Sequence, residues 1–598
     1  QNWNFTCAEC HSTHLQKNYN PQTNSYDTTW SEINVACEAC HGPGSEHVAW
    51  AMAVKTGDAA LDGPRGFTVQ LSDPGSATFV IDMETGNAKR DEPYRTGPQI
   101  ETCARCHARR SAISDTYTHG RPLMDTHRPA LLDEPLYYAD GQIRDEVYVY
   151  GSFLQSKMYH AGVTCSDCHD SHTLKLRGEG NALCYPCHNA LKFDTPEHHH
   201  HESGTRGASC VECHMPETTY MVVDPRRDHS MRVPRPDLSA ELGTPNACNR
   251  CHTSETTQWA AEAAKQWYGS EGAAKPHDGQ ILAAGRAGAP GAEAGLIGLI
   301  RDGVEPGIVR ATALTLLSGV AGRDSLSILQ GALADGDPLV RHSALTALEM
   351  LRPDQRVGPA FGLLADPIRA VRMEAARVLA PANPNMLARQ KSAMRKAIDE
   401  YVAATLTDAD RPSAQLNLGV FLADLGRLSE AEAAYRTALR LAPNDARVHV
   451  NLSDLYRGQG RDDLCEQTLR EALHVVPDTA VVHHSLGLLL ARQRKINEAV
   501  ESLRAAVRIE QDNARFRYVY AVALSSQGKT AEALGELAIA HERHPYDRDI
   551  LTALATMHRD GGSIDQARGY ARKLVDLAPE NTGYRQLWVD LERLKNER

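Results

Sequence analysis

Fourteen of the fifteen cysteines of this 598-residue chain fall in one repeated pattern, Cys-x-x-Cys-His, confined to its first 252 residues. The copies are Cys7-Ala-Glu-Cys10-His11, Cys37-Glu-Ala-Cys40-His41, Cys103-Ala-Arg-Cys106-His107, Cys165-Ser-Asp-Cys168-His169, Cys184-Tyr-Pro-Cys187-His188, Cys210-Val-Glu-Cys213-His214 and Cys248-Asn-Arg-Cys251-His252. Two intervening residues let both sulfurs reach the two vinyl groups of one porphyrin, and the next histidine then falls beneath the iron as its proximal ligand. The pattern predicts seven covalently attached haems c. Zinc would use the pairs two at a time, leaves one of seven unmatched and gives no reason for the histidine after every second cysteine. A thioredoxin-like pair would occur once, and a disulfide framework does not require adjacent pairs.

An iron that cycles electrons without rearranging needs a second strong-field ligand. Outside the motifs the candidates are His14, His47, His119, His127, His160, His172, His198 to His201, His229 and His277, twelve side chains for seven irons. His47, which a Gly42-Pro43-Gly44 turn carries away from its own haem, ranks first, followed by His229, His160, His172 and His119. One of His198 to His201 comes next, with its neighbours as bystanders, and His14 and His127 stand in reserve. His172 lies three residues after His169 and can serve only a different haem. Met124, Met158, Met215, Met221 and Met231 are alternatives for a His/Met iron, against the commoner use of methionine in packing.

Seven haems in this stretch leave about 35 residues for each, too few for an aliphatic core, so porphyrin faces must supply the buried apolar mass. Gly and Pro recur around the motifs, which reads as short helices between irregular loops, unable to fold without the cofactor.

Beyond Asp278 the composition turns to Ala, Leu, Arg and Glu at helical spacing. Val309-Arg310, Val340-Arg341 and Val371-Arg372 recur at a period of 31 and resemble HEAT repeats. A second period of 34 places Ala431, Cys465, Ala499, Ala533 and Ala567 in one slot and Ala438, Ala472, Ala506, Ala540 and Leu574 in another. The helix-ending position holds Pro443, Pro477, Gln511, Pro545 and Pro579, and the array resembles tetratricopeptide repeats, with Cys465 as a packing residue. The expected fold is mostly α: a loop-rich multihaem domain over 1–277, HEAT-like repeats over 278–385, a linker helix over 386–411, five tetratricopeptide repeats over 412–581 and a capping helix over 582–598. Such arrays act as scaffolds or offer a groove to a partner or a second copy of the chain.

A net charge of −12 argues against nucleic acid, and no apolar run reaches eighteen residues, so no transmembrane helix is expected. Haem of this kind is attached outside the cytoplasm in bacteria. The chain is therefore expected in the periplasm or outside the cell, with an export signal upstream of Gln1.

Residues 37 to 47, Cys-Glu-Ala-Cys-His-Gly-Pro-Gly-Ser-Glu-His, together with Cys210-Val-Glu-Cys213-His214-Met215-Pro216 and Asp228-His229-Ser230, resemble the multihaem cytochrome superfamily. That group includes hydroxylamine oxidoreductase, pentahaem nitrite reductase, octahaem tetrathionate reductase and the tetrahaem cytochrome of ammonia oxidisers. The resemblance implies stacked haem pairs, ligation by His47 and His229, redox partner proteins and an eighth haem where a further motif precedes the first. It also implies an alternative, oxidation or reduction of a small nitrogen or sulfur oxyanion at one open haem. The lysine motif of nitrite reductase is absent. Tyr117, Tyr137, Tyr138, Tyr148, Tyr150 and Tyr159, with Arg109, Arg110, Arg226 and Arg227, offer material for such a site; the bland reading of the arginines is as propionate partners. Electron transfer through a chain of mainly bis-histidine haems is the leading expectation.

Overall fold

A computed structural model describes residues 3–58, 65–71, 78–90, 97–269, 276–322, 324–382 and 391–596. The N-terminal part is built from short pieces, as its Gly/Pro content requires. Its described strands pair only as two-stranded antiparallel ladders. The motifs sit on or beside single turns and short helices: Cys37–His41, Pro98–His107, Cys165–Cys168, Cys210–His214 and the 3-10 turns Gly180–Leu183 and Cys248–Arg250. Local chemistry fixes each one. Pro98 opens its helix at a position that needs no N–H, and the Asp167 carboxylate accepts from the Thr164 amide at 2.6 Å, closing the first turn around Cys165. Gly42, at φ +77°, ends the Cys37–His41 helix in a conformation other residues avoid. Among the described residues the one aliphatic and aromatic cluster confined to this part is small: Ile100, Ala104, Ala108, Leu123, Tyr150 and Phe153.

From residue 278 the chain forms stacked antiparallel helices: Asp278–Ala287 with Ala292–Arg301, Gly307–Val320 with Ser325–Ala332, and Pro338–Ala347 with Pro353–Ala360, followed by Arg369–Leu379. The 31-residue period has a physical basis. Val309, Val340 and Val371 are all buried, and the arginine after each reaches into the next unit: Arg310 to Asp335, Arg341 to Asp366 at 2.8 Å and Arg372 to Glu400 at 2.7 Å. The core of these helices does not stop at residue 277. Ile113, Met124, Leu132, Tyr137 and Val147 belong to the same buried cluster as Leu282, Leu296, Leu314 and Leu345. Polar contacts run alongside: Arg286 donates to the Leu132 carbonyl at 2.6 Å, Leu132 N–H to Thr312 Oγ1 at 3.1 Å, and Arg369 N–H to Asp125 Oδ1 at 2.9 Å. The motif-bearing part and the first helical stack are thus one packed body.

A helix over Lys391–Thr407 leads into five helix pairs, Pro412–Asp424 with Leu428–Leu441 through Arg548–Asp560 with Ile564–Leu577, and a last helix over Thr582–Asn596. The expected start of the linker helix, 386–390, and the end of the capping helix, 597–598, lie outside the described residues. The small-residue slots are where two helices touch: Ala431, Cys465, Ala499, Ala533 and Ala567 are each at most 2 % exposed. The turn inside each pair needs a left-handed residue, supplied by Gly426, Gly460, Gly528 and Gly562, with Arg494 taking the same conformation in the third unit.

Three further contacts tie the N-terminal part to the start of the helix-pair array. Lys17 Nζ bonds Asp408 at 2.7 Å and Asp410 at 2.9 Å, and the Tyr26 hydroxyl donates to Asp410 Oδ2 at 3.0 Å. The hairpin Tyr19–Tyr26 is thereby fastened to the entrance of the helix-pair array.

Candidate cofactor site

No two of the fifteen cysteines are joined by a disulfide, and every motif cysteine except Cys37 lines one cavity of about 3690 Å³. Small-molecule pockets rarely exceed about 1,000 Å³, so this space is built for something much larger. Zinc would require four ligands converging on one point; among the described residues no three His, Cys, Asp or Glu side chains do so.

The motif cysteines lie near one another in a continuous series. The Cys10 thiol donates to the Cys106 carbonyl across 3.9 Å, Cys103 is hydrogen-bonded to Cys165, and Cys184 to Cys210. Cys40 feels Cys103, Cys168 feels Cys187, and burial followed by the neighbouring Cys248 pushes the Cys213 thiol up to about 11. The first two motifs meet at the third, and the third to the seventh follow in chain order.

Four motif histidines face a second imidazole at nearly one separation. The ring centres of His41 and His172 are 6.1 Å apart with planes 8° from parallel; His169 and His229, 6.3 Å and 20°; His214 and His198, 6.2 Å and 9°; His252 and His201, 6.1 Å and 37°. Two imidazoles sharing one metal have metal–nitrogen bonds of about 2.0–2.1 Å and about 1.1 Å more from each nitrogen to its ring centre, or roughly 6.2 Å in all. Backbone carbonyls orient several of these rings through Nδ1, leaving Nε2 free. His214 donates to the Arg232 carbonyl at 2.8 Å, His229 to that of Arg227 at 2.9 Å, and His201 to that of His199. Ligating histidines carry such outer partners. Burial holds His41, His169, His198 and His229 below the usual imidazole range, in the neutral form a metal needs. These observations are the fit expected of residues that hold haem.

The candidates drawn from sequence divide accordingly. His172 and His229 each face a motif histidine; His47 and His160 do not. His47 donates from Nδ1 to the Arg65 carbonyl at 2.7 Å and lies flat on Phe67 at 4.1 Å. His160 donates to the Leu154 carbonyl on the short helix Lys157–His160. His119 faces His14 rather than a motif histidine, at 6.2 Å. Two of the four consecutive histidines are brought to motif rings, where one was expected; the short helix Pro196–His199 and a left-handed His200 send His198 and His201 to different motifs. His200 instead stacks on Trp267 at 4.3 Å. His127 is unavailable: it is buried with Nε2 at 2.6 Å from Glu9 and Nδ1 at 2.9 Å from Thr126 Oγ1. Against burial, the bond from His127 and the charge of Arg110 hold the Glu9 carboxyl down at about 2. His277 caps the helix Asp278–Ala287. Met124 is in the shared core, whereas Met158, Met215, Met221 and Met231 line the cavity. Among the described residues no second imidazole stands opposite His11, His107 or His188 at the common separation.

Comparison with known proteins agrees with both halves. A model of the doubled CXXCH motif matches residues 158–193, which hold the Cys165 and Cys184 copies. Tetratricopeptide repeat models match 422–489 and 388–446, 484–547 and 523–582. No curated protein matches the chain. Similar solved structures include pilF of Pseudomonas aeruginosa, 20% identical over 37% of this chain and 99% of that one at a TM-score of 0.28. Another is YrrB, described as a TPR protein with an unusual peptide-binding site, 20% identical over 33% and 97% at 0.25. A third is the thermophilic TPR protein TTC0263 of Thermus thermophilus, 21% identical over 30% and 98% at 0.25. The chain therefore joins a haem c-binding paired motif to an array of tetratricopeptide repeats, modules of protein interaction.

Proposed function

We propose that this protein is an exported multihaem c-type cytochrome that conducts electrons through seven covalently held haems. Its helical repeats, HEAT-like over 278–385 and tetratricopeptide over 412–581, hold it to redox partners or to another copy. The observation that carries the reading is that the motif cysteines line one cavity and lie near one another in series from the first motif to the seventh. A relay needs neighbouring cofactors, and this backbone brings their attachment points together. Haem c would be tethered by the fourteen motif cysteines, with His11, His41, His107, His169, His188, His214 and His252 as proximal ligands. His172, His229, His198 and His201 would be the distal partners of His41, His169, His214 and His252. When bound, the porphyrin irons would supply one-electron chemistry, and the four imidazole pairs would keep the geometry of their irons constant. Membership of the hydroxylamine oxidoreductase and nitrite reductase superfamily is part of the proposal and rests on the motif resemblance.

A second reading has its own observation. His107, like His11 and His188, faces no second imidazole among the described residues, and only near His107 does Arg226 lie with its guanidinium over Tyr148 at 4.8 Å and Tyr220 at 5.6 Å. That cluster would suit a small oxyanion at an open iron. Arg110, Arg226 and Arg227 are already paired with Glu9, Glu146 and Glu212 at 3.0, 2.9 and 2.7 Å, which favours the relay. Low-temperature EPR of the oxidised holoprotein, with haem counted as pyridine haemochrome, separates the two. Seven low-spin irons support the relay. One high-spin iron that shifts on adding nitrite or hydroxylamine supports the enzyme.

A further inference from the structure

His14 and His119 belong to no Cys-x-x-Cys-His motif, yet their ring centres stand 6.2 Å apart, within the 6.1–6.3 Å of the four motif pairs. Each ring is dressed as ligands usually are. His14 Nδ1 is 3.0 Å from Ser31 Oγ. The carbonyls of Ala39 and Glu38 accept from the His119 ring, and its Nε2 is shielded from solvent with no hydrogen-bond partner. An imidazole nitrogen left bare this way is unfavourable unless something binds it. Both residues open on the large cavity, together with Leu15, Val35 and Tyr117. Tyr117 steadies the His119 ring edge-on at 4.8 Å and is itself covered by the Arg105 guanidinium at 3.7 Å.

Neither histidine fits the motif beside it. His14 is three residues from His11 and cannot cross its own porphyrin. His119 rests on the backbone of the second motif, whose His41 already faces His172. We infer that His14 and His119 form an additional axial pair for one iron porphyrin that none of the fourteen motif cysteines tethers. The interplanar angle of 79° makes this pair perpendicular, against 8° to 37° in the other four, so its spectroscopic signature differs from theirs.

The inference rests on the haem reading, and one experiment keeps the two apart. Full-length holoprotein matured with haem c is extracted with acid acetone, which removes a porphyrin held by ligation alone and leaves thioether-linked haem on the chain. The expected result is about one porphyrin released per chain, with seven retained. His14→Ala and His119→Ala each abolish the released fraction and leave the retained count unchanged. Absence of covalent haem would overturn the proposed function. Seven retained with nothing released from the wild-type protein overturns only the additional site. So does a released fraction that both variants keep, or an eighth porphyrin that stays thioether-linked. If a variant misfolds and loses covalent haem, the wild-type extraction decides alone.

Discussion

His41 and His172 lie 6.1 Å apart with ring planes within 8° of parallel, although they come from different motif neighbourhoods. On the axial reading His172→Ala should turn one iron of seven from low to high spin, because a haem stripped of one strong-field ligand loses the splitting that pairs its electrons. A new signal near the axial high-spin position, integrating to about one iron in EPR, with an unchanged pyridine haemochrome count and reversal by added imidazole, is the expected outcome. His47→Ala, by contrast, should leave all spin states as they were. A high-spin iron in that variant would restore His47 as a ligand and remove the ranking the ring pairs give.

Protein produced without haem maturation should lose more than the N-terminal part. The cavity of about 3690 Å³ has only a six-residue apolar cluster of its own beside it, and Leu132, Tyr137 and Val147 belong to the core of the first helical stack. Collapse of the unfilled cavity therefore removes packing from residues 278–380 as well. Limited proteolysis of the apoprotein should leave a resistant fragment spanning 412–596 and no larger one. Survival of a fragment that begins near 278 would show that the stack stands alone.

The motif half was legible in its repeated unit and much less so in which histidines come together. A Cys-x-x-Cys-His unit is local, so its seven copies could be read directly. The ring pairs join residues far apart in sequence, and nothing local told His172 and His229, which face motif rings, from His47 and His160, which do not. The run at His198 to His201 shows the same limit: one helical end and one left-handed residue send two of its members to different motifs, which no local pattern announces. The 34-residue period foretold the helix pairs because most packing there is between helices adjacent in sequence. The shared core around Leu132 and Tyr137 had no period to announce it.

Within the tetratricopeptide array, substitutions at the helix–helix contact should be felt by size. A Cβ on Gly487 would meet Leu503 Cγ at 2.6 Å, so Gly487→Val should destabilise by about 1–3 kcal/mol through overpacking. Cys465 is 2 % exposed in a slot that is alanine in the other units, and burial pushes its thiol up, keeping it protonated and inert. Cys465→Ala should cost about 1 kcal/mol or less and leave haem content and visible spectrum untouched. Thermal melts followed by far-ultraviolet circular dichroism measure both; a large loss in the cysteine variant would mean that the sulfur does more than fill space.

Acid should loosen the shared core through His342. This side chain is buried, and burial, with Glu374 opposing and the Arg128 and Arg377 charges assisting, lowers it from 6.5 to about 4. The folded state thus binds fewer protons than the unfolded chain between those values. The contribution is complete above 6.5, falls as pH drops through that window and levels off below about 4. The full effect is on the order of 3 kcal/mol. His342→Gln, which cannot protonate, should flatten the denaturation midpoint against pH over this window relative to the wild-type protein. Parallel curves would exclude the group.

The clamp at Lys17 makes a prediction about how the repeats are attached. Lys17 is 14 % exposed and Asp410 fully buried in the side chain, and the lysine answers two carboxylates at once. Lys17→Met removes the counter-charge and leaves Asp408 and Asp410 facing each other, a loss of about 3–5 kcal/mol if the pair behaves as buried pairs do. The cost should appear as faster amide hydrogen exchange in the hairpin Tyr19–Tyr26, whose tyrosine also binds Asp410, with haem content unchanged. Neutralising the acids in the same background, Asp408→Asn with Asp410→Asn, should recover most of the protection, because the penalty comes from the unpaired charges and not from the lost contact. If the triple variant exchanges as fast as Lys17→Met alone, the hairpin is held to the array by its shape, and the carboxylates are bystanders.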